Sequence, residues 1–349
     1  MHVLQCESPV LRNITVAPRA AENRLIGSDA DGIHVRNCRG GPTIEDCHVA
    51  RLLDDGIVVA SLAMRVESVV DSQTIEVVDF HGVRPQPGDD LLLMSESGRR
   101  ATLPELVDLS EPTQSDEGTQ PTRELSFAAS LPETISAGDF VSNRSAASTD
   151  FTIRDNVVRE NRANLIRLAA QSGLVENNAL KGSQNATINI ITDTTGTFAP
   201  EQPSEDITIR ENTIRRSGMV YLGENSPSAV RVTHNSPEEV TTKGHPHRRL
   251  SVVNNDIELT ASNAFMFNDA ATLDVRENEI SDVNVLDYPN GRAGIILENV
   301  NEATFTDNQL AGSSEYLSAF GRRHDCQGIS QAGNQFILDG ETRPAEFSG

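Results

Sequence analysis

Ile153-Arg-Asp-Asn156-Val-Val158, Val175-Glu-Asn-Asn178-Ala-Leu180 and Ile209-Arg-Glu-Asn212-Thr-Ile214 are copies of one six-residue unit. Its pattern is apolar, any, acidic or Asn, Asn, any, apolar. The unit returns as Val252-Val-Asn-Asn255-Asp-Ile257, Val275-Arg-Glu-Asn278-Glu-Ile280 and Phe305-Thr-Asp-Asn308-Gln-Leu310. Weaker copies run from Leu11 to Val16, Ile44 to Val49 and Gln331 to Phe336, with Ile14 and Cys47 in the Asn slot of the first two. Apolar alternation on either side of a fixed Asn reads as strand, turn, strand. Asn tolerates a left-handed backbone and bonds nearby peptide groups through its amide, and stacked Asn side chains form ladders.

The shortest Asn-to-Asn intervals are 22 residues (156 to 178) and 23 (255 to 278). One such coil cannot bury its apolar face alone, whereas coils stacked on each other can. The expected fold is therefore all-β: a right-handed parallel β-helix of about nine coils, roughly 40 Å long at ~4.8 Å per rung. A β-sandwich would need hairpin turns every 8–12 residues or so, and such signals are sparse. A leucine consensus is absent, and period-2 alternation excludes a helical solenoid.

One interval breaks the series: 109 residues separate Cys47 from Asn156. The chain thus divides into N-terminal coils (1–61), an inserted small β-barrel (62–148) and C-terminal coils (149–349). Strands are expected at Met64 to Val70, Thr74 to Val78, Asp90 to Met94, Glu124 to Ala128 and Asp139 to Val141. Gly88-Asp89-Asp90 and Gly138-Asp139 read as tight turns, the acidic run Glu111 to Glu117 as a solvated loop, and Asn290-Gly291 as a turn. Repeat character begins at Met1 without a cap, so further N-terminal coils are expected upstream.

There are 51 acidic and 29 basic residues, a net charge of −22. Such an excess repels nucleic acid and anionic membranes, and no apolar run approaches a membrane span. Only Lys181 and Lys243 are lysines; the other basic residues are arginines. A Lys-poor acidic chain resembles proteins of salt-accumulating halophiles, where a Debye length of about 3 Å at 1 M salt screens self-repulsion. The four cysteines form no C-x-x-C pair, and Cys47 reads as a small core residue. Lys243-Gly-His245-Pro-His247-Arg-Arg249 reads as a charged turn rather than a metal site. No cofactor and no metal are expected.

A second strand aligns from coil to coil: Asp31-Gly-Ile33-His34-Val35, Asp55-Gly-Ile57-Val58-Val59, Asn164-Leu-Ile166-Arg167-Leu168 and Ala186-Thr-Ile188-Asn189-Ile190. Alternation points Ile33, Ile57, Ile166 and Ile188 inward. His34, Val58, Arg167 and Asn189 then form an outward row, and Asp31, Asp55, Asn164 and Ala186 a row at the strand entrance. Asp31, Asp54 and Asp55 meet there, and like charges that close raise at least one pKa. A raised carboxyl can act as general acid while an ionised neighbour activates water. The candidate catalytic residues are therefore Asp31, Asp54 and Asp55; the candidate substrate-binding residues are His34, Arg167, Asn164, Asn189 and Asp193. Asp193 and Glu201, in a long turn, could reach the same groove. The competing reading is turn chemistry, because Asp before Gly is common in turns.

Asp29-Ala-Asp31-Gly-Ile-His34, the Arg39 to Cys47 stretch and Leu53-Asp54-Asp55-Gly-Ile57 resemble the core of glycoside hydrolase family 110. The resemblance covers about residues 1–215 and implies a parallel β-helix with an inserted barrel, acting as an inverting α-galactosidase through Asp31, Asp54 and Asp55. Family 28 polygalacturonases are similar in placing Asp-Asp one coil after Asp-Gly. An oligo- or polysaccharide is the implied partner, with no nucleic acid and no membrane. The sequence carries no signal peptide; with a further N-terminal segment the protein would be extracellular.

Two other functions stay open. A Ca-dependent polysaccharide lyase would use the acids as cation ligands, with Arg167 as the candidate base. A noncatalytic β-helix for glycan binding or surface assembly accords with the absence of Trp, because aromatic rings supply large apolar contact area. It also accords with Ile57-Val-Val-Ala60, where the resembled family carries a His.

Overall fold

The computed structural model describes the whole chain except residues 20, 22, 79–82, 114–119, 196–198, 220–226, 238–242 and 287–291. The acidic run at 111–117 lies partly, and Asn290-Gly291 wholly, outside the described residues.

The repeat folds as a right-handed parallel β-helix with three ladders. The strands preceding the turn Asn stack in parallel from Val10–Arg12 through Thr43–Glu45 and Phe151–Arg154 to Gln327–Ala332. Those following it stack from Thr15–Val16 to Gln335–Leu338, in a ten-stranded sheet whose last strand, Glu341–Arg343, turns back antiparallel. The third ladder runs from His2–Leu4 through Ile33–Arg36, Ile57–Ala60, Ile166–Ala169, Ile188–Asp193 and Val230–Asn235 to Phe347–Ser348. Two long strands, Phe265–Arg276 and Ala293–Thr306, pass without a break from the third ladder of one coil into the first ladder of the next.

The core is a column of stacked rows. Ile33, Ile57, Ile166, Ile188, Val230, Phe265 and Ile295 are in register and fully buried. Each such side chain stabilises by about 1.5–3 kcal/mol relative to exposure. Cys47 is a buried free thiol in this column.

The turn Asn residues form a buried ladder. Asn178 Oδ1 accepts from the Asn156 amide and Nδ2, both at 3.0 Å, and Asn212, Asn255, Asn278, Asn308 and Asn334 repeat the pattern down the rod. Each Nδ2 also reaches a backbone carbonyl on the preceding coil, as Asn212 does Val175 at 2.9 Å. The expected left-handed backbone belongs to the residue before the ladder Asn: Asp155, Asn177, Glu211, Asn254, Glu277 and Asp307 have φ between 52° and 58°. The preceding residue turns the corner, and the Asn is left to bond across rungs.

The insertion is a seven-stranded antiparallel sheet around its own core, which includes Met64, Ile75, Leu93, Leu106, Leu125 and Val141. Its strands include the expected Thr74–Val78, then Leu91–Met94 and Thr122–Phe127, which overlap the expected Asp90 to Met94 and Glu124 to Ala128, and two unforeseen edges, Arg100–Thr102 and Leu106–Leu109. No ladder joins the two edges among the described residues. Gly88 and Gly138, at φ +84° and +95°, make the two tight turns. Ion pairs clasp the insertion to the rod. Arg39 grips Asp89 bidentately at 2.7 and 2.8 Å. The buried Glu205 carboxylate receives Arg100 and Arg144 from the insertion at 2.9 Å each, and Arg249 from the rod at 3.0 Å.

The Lys243 to Arg249 island corrects the expectation of a plain charged turn. His247 opens the strand His247–Val253 and is fully buried. Its Nε2 donates to the Thr233 carbonyl at 2.9 Å, and its Nδ1 accepts from the Ser204 amide at 3.3 Å. Both ring nitrogens are thereby occupied, and burial pushes its pKa down to about 3. Among the described residues, no helix is long and apolar enough to cross a membrane.

Candidate active site

The site lies on the third ladder, at the first coils. Register pairs His34 with Val58, Val58 with Arg167, Arg167 with Asn189 and Asn189 with Arg231. The outward row read from the sequence is therefore the observed one, extended by Arg231. That residue was findable: Ala229-Val230-Arg231-Val232 repeats the Thr187-Ile188-Asn189-Ile190 pattern one coil later.

The entrance row forms a second ladder of oxygen acceptors. Asp31 Oδ1 accepts from the Asp55 amide at 3.2 Å, and Asp55 Oδ1 accepts from the Asn164 amide and Nδ2, both at 2.8 Å. Ala186, next in the row, cannot continue it. Glycine follows each Asp because of close packing rather than a left-handed φ. A Cβ on Gly32 would stand 2.7 Å from Gly56 O, and one on Gly56 would stand 2.5 Å from Leu165 O.

With Oδ1 engaged, the second oxygens point to other partners. His34 Nδ1 lies 2.7 Å from Asp31 Oδ2, and Arg167 Nε lies 3.8 Å from Asp55 Oδ2. Asp54, exposed, completes a trio in which one carboxylate oxygen from each residue lies within 4.8 Å of the others. The three environments differ. Burial pushes the Asp55 carboxyl up to about 6, with Arg167 and Asn164 opposing it. Burial and the Asp31 charge also raise Asp54. For Asp31, burial is outweighed by His34 and the Asp55 amide, and its pKa is lowered.

Arg167 is not free for a ligand. Glu201 holds its guanidinium bidentately at 2.7 and 2.6 Å. Burial opposes its charge, but Glu201 and the Asp55 and Asp31 carboxylates raise its pKa overall. Glu201 therefore enters the site as the partner of Arg167. Asp193 lies at the far end of Ile188–Asp193, where Oδ1 accepts from the Thr195 amide at 2.9 Å and hydroxyl at 2.7 Å. Its carboxylate caps its own turn and does not join the trio. Asn189 accepts from Arg231 Nε at 3.1 Å.

Stacked coils and an Asn ladder define a class, and the matching family model agrees with it. The chain belongs to the right-handed β-helix family: residues 140–336, more than half of its 349 residues, match the family described as a right handed beta helix region. Among curated proteins it is similar to alpha-1,3-galactosidase B of Akkermansia muciniphila, 29% identical over 205 residues, 57% of this chain and 25% of that protein. It is also similar to alpha-1,3-galactosidase A of Shewanella woodyi, 32% identical over 65 residues, 19% of this chain and 11% of that protein. The chain thus spans a quarter or less of the length of these relatives. Of solved structures, full-length tailspike protein 2 of the Escherichia coli O157:H7 bacteriophage CAB120 aligns over 88% of this chain and 35% of its own, with 7% identity and a TM-score of 0.39.

Proposed function

We propose that this protein is a glycoside hydrolase acting on α-galactosides, by direct displacement at the anomeric carbon with inversion. The observation that carries the reading is a trio of adjoining carboxylates whose environments drive their pKa values apart. Such divergence is the usual mark of an acid and base assignment. Asp55 holds its proton nearest neutrality and leaves Oδ2 without a close hydrogen-bond partner, 3.8 Å from Arg167 Nε, which suits protonation of the leaving oxygen. Asp31, ionised and oriented by His34, acts with Asp54 to hold and deprotonate the attacking water. The similarity to alpha-1,3-galactosidases supports galactose as the sugar.

Nearest oxygens within 4.8 Å are closer than the roughly 6.5–9.5 Å between carboxyl groups of inverting enzymes. That spacing by itself suits a covalent intermediate, so the inverting course is carried by the acid and base divergence of the trio and by the likeness to the galactosidases. The test is NMR of the first product formed from an α-galactoside: a β-anomer supports displacement by water, and an α-anomer replaces it with a covalent intermediate. No turnover, with glycan binding retained, would instead select the noncatalytic reading.

A second reading rests on the same trio as a cation site, which a Ca-dependent lyase would use. The ion pair of Arg167 with Glu201 weighs against Arg167 as its base. Absorbance from a new double bond, abolished by chelator, would establish that reaction. The acidic, Lys-poor composition is read as adaptation to concentrated salt.

A further inference from the structure

Arg231 lies on the outward row, two rungs along from Arg167, between the core residues Val230 and Val232. It is 4% exposed. Its Nε donates to Asn189 Oδ1 at 3.1 Å, and one terminal nitrogen of its guanidinium is buried with no partner. Among the described residues no carboxylate pairs with it, and the carboxylate whose field it feels most is Asp55.

This sets Arg231 apart from the other buried arginines. Arg167 has Glu201 and Arg100 has Glu205. A guanidinium does not shed its proton, and an ion taken out of water costs several kcal/mol unless a counter-charge meets it. The described residues provide none at this position, although the chain carries 51 acidic residues. A second orphan lies in the entrance row, where Asn164 Oδ1 is buried without a donor. This stretch of the third ladder thus holds one unanswered guanidinium nitrogen and, beside Asp55, an unanswered acceptor.

We propose that Arg231 binds an anionic substituent, a carboxylate or sulfate ester, on a glycan whose scissile bond lies at Asp31 and Asp55. A guanidinium matches the paired oxygens of either group, and two rungs at ~4.8 Å place the anchor roughly 10 Å along the ladder from Arg167. A neutral hydroxyl would fill a hydrogen bond but leave the charge uncompensated. The inference rests on the hydrolase reading only for the position of the reacting bond.

The test is equilibrium binding of D-galactose, D-galacturonate, galactose 6-sulfate and inorganic sulfate at fixed ionic strength. The wild type is expected to bind at least one of the two anionic sugars about tenfold more tightly than galactose, as a charge-assisted bond implies. In Arg231→Gln and Arg231→Met that ratio falls to near one. The methionine variant melts no lower than wild type, because an apolar side chain replaces an unpaired buried ion. Equal affinity for charged and neutral sugars in the wild type, or a preference that survives both substitutions, overturns the assignment. So does inorganic sulfate binding as tightly as the sulfated sugar, which would mark an adventitious ion only. Wild-type turnover separates the two proposals: a preference for anionic sugar without any turnover ends the hydrolase reading and leaves the Arg231 site standing. Turnover of neutral α-galactosides without that preference does the reverse.

Discussion

Asp55 carries two functions on two oxygens. Oδ1 caps the Asn164 backbone, and Oδ2 faces Arg167. Asparagine supplies the same Oδ1 acceptor, so Asp55→Asn should leave Tm within a few degrees and cut turnover by about 10²–10⁴, the usual contribution of a general acid. With the acid held at about 6 and the Asp31 base lowered, kcat/KM should decline above pH 6. On the acid side it should begin to fall where Asp54, raised above the ordinary carboxylate value, takes a proton, and be lost where Asp31 does. A profile rising through pH 7 would remove Asp55 as the acid. Stability runs the other way on acidification. Burial lowers His234 to about 4 and His247 to about 3. Below pH 6.5 the unfolded chain therefore binds protons that the folded chain refuses, and Tm falls from there toward pH 4. Asp55, raised in the fold, acts in the opposite sense between pH 3.8 and 6, but two histidines with larger displacements outweigh it. A melting series across this range checks the sign.

At the scale of the element, the ladder is the unit of stability. Asn212→Ala removes the acceptor of the Asn178 amide and the donor to Val175 O. Each buried group left unpaired costs about 1–3 kcal/mol. Asn334→Ala, on a less buried rung, should cost less by chemical denaturation; equal costs would mean that burial does not set what a rung contributes. Gly56→Ala should destabilise by about 1–3 kcal/mol through overpacking against Leu165 and Val158. The six-residue unit was readable because one chemical requirement recurs at every rung, and its register followed from alternation alone. The left-handed residue was misassigned because Asp, Glu and Asn all tolerate that backbone, and pattern alone does not separate the turning residue from the bonding one. Arg100–Thr102 and Leu106–Leu109 escaped notice because strands this short, interrupted by Leu103-Pro104-Glu105, carry too little alternation to register.

Across the whole molecule, the insertion is held by few but buried charges. Glu205→Gln leaves Arg100, 5% exposed at its side chain, without its counter-ion, and breaking a buried pair costs about 3–5 kcal/mol. Limited proteolysis should then cut the insertion sooner than the rod; simultaneous cutting of both would argue against a local clasp. Net charge acts globally. At −22, self-repulsion is relieved by screening, and Tm should climb steadily from 0.1 to 2 M NaCl. The candidate trio was legible because the coil repeat forces Asp31 and Asp55 onto neighbouring rungs. Glu201 as the partner of Arg167, and the clasp at Glu205, depend on where long turns fold back, and no periodicity encodes that. His247 looked like a surface residue among charges because its neighbours Arg248 and Arg249 face outward while it faces in.

The entrance ladder demands from each rung only an oxygen that can receive the next amide. Aspartate and asparagine meet that demand equally, and their codons differ by a single base. A β-helix corner of this kind can therefore gain or lose reactive carboxylates without first having to survive misfolding. Chemistry at such a corner is free to drift on a scaffold that does not register the change, and sister proteins with Asn at position 31 or 55 should be intact rods with binding grooves and no turnover.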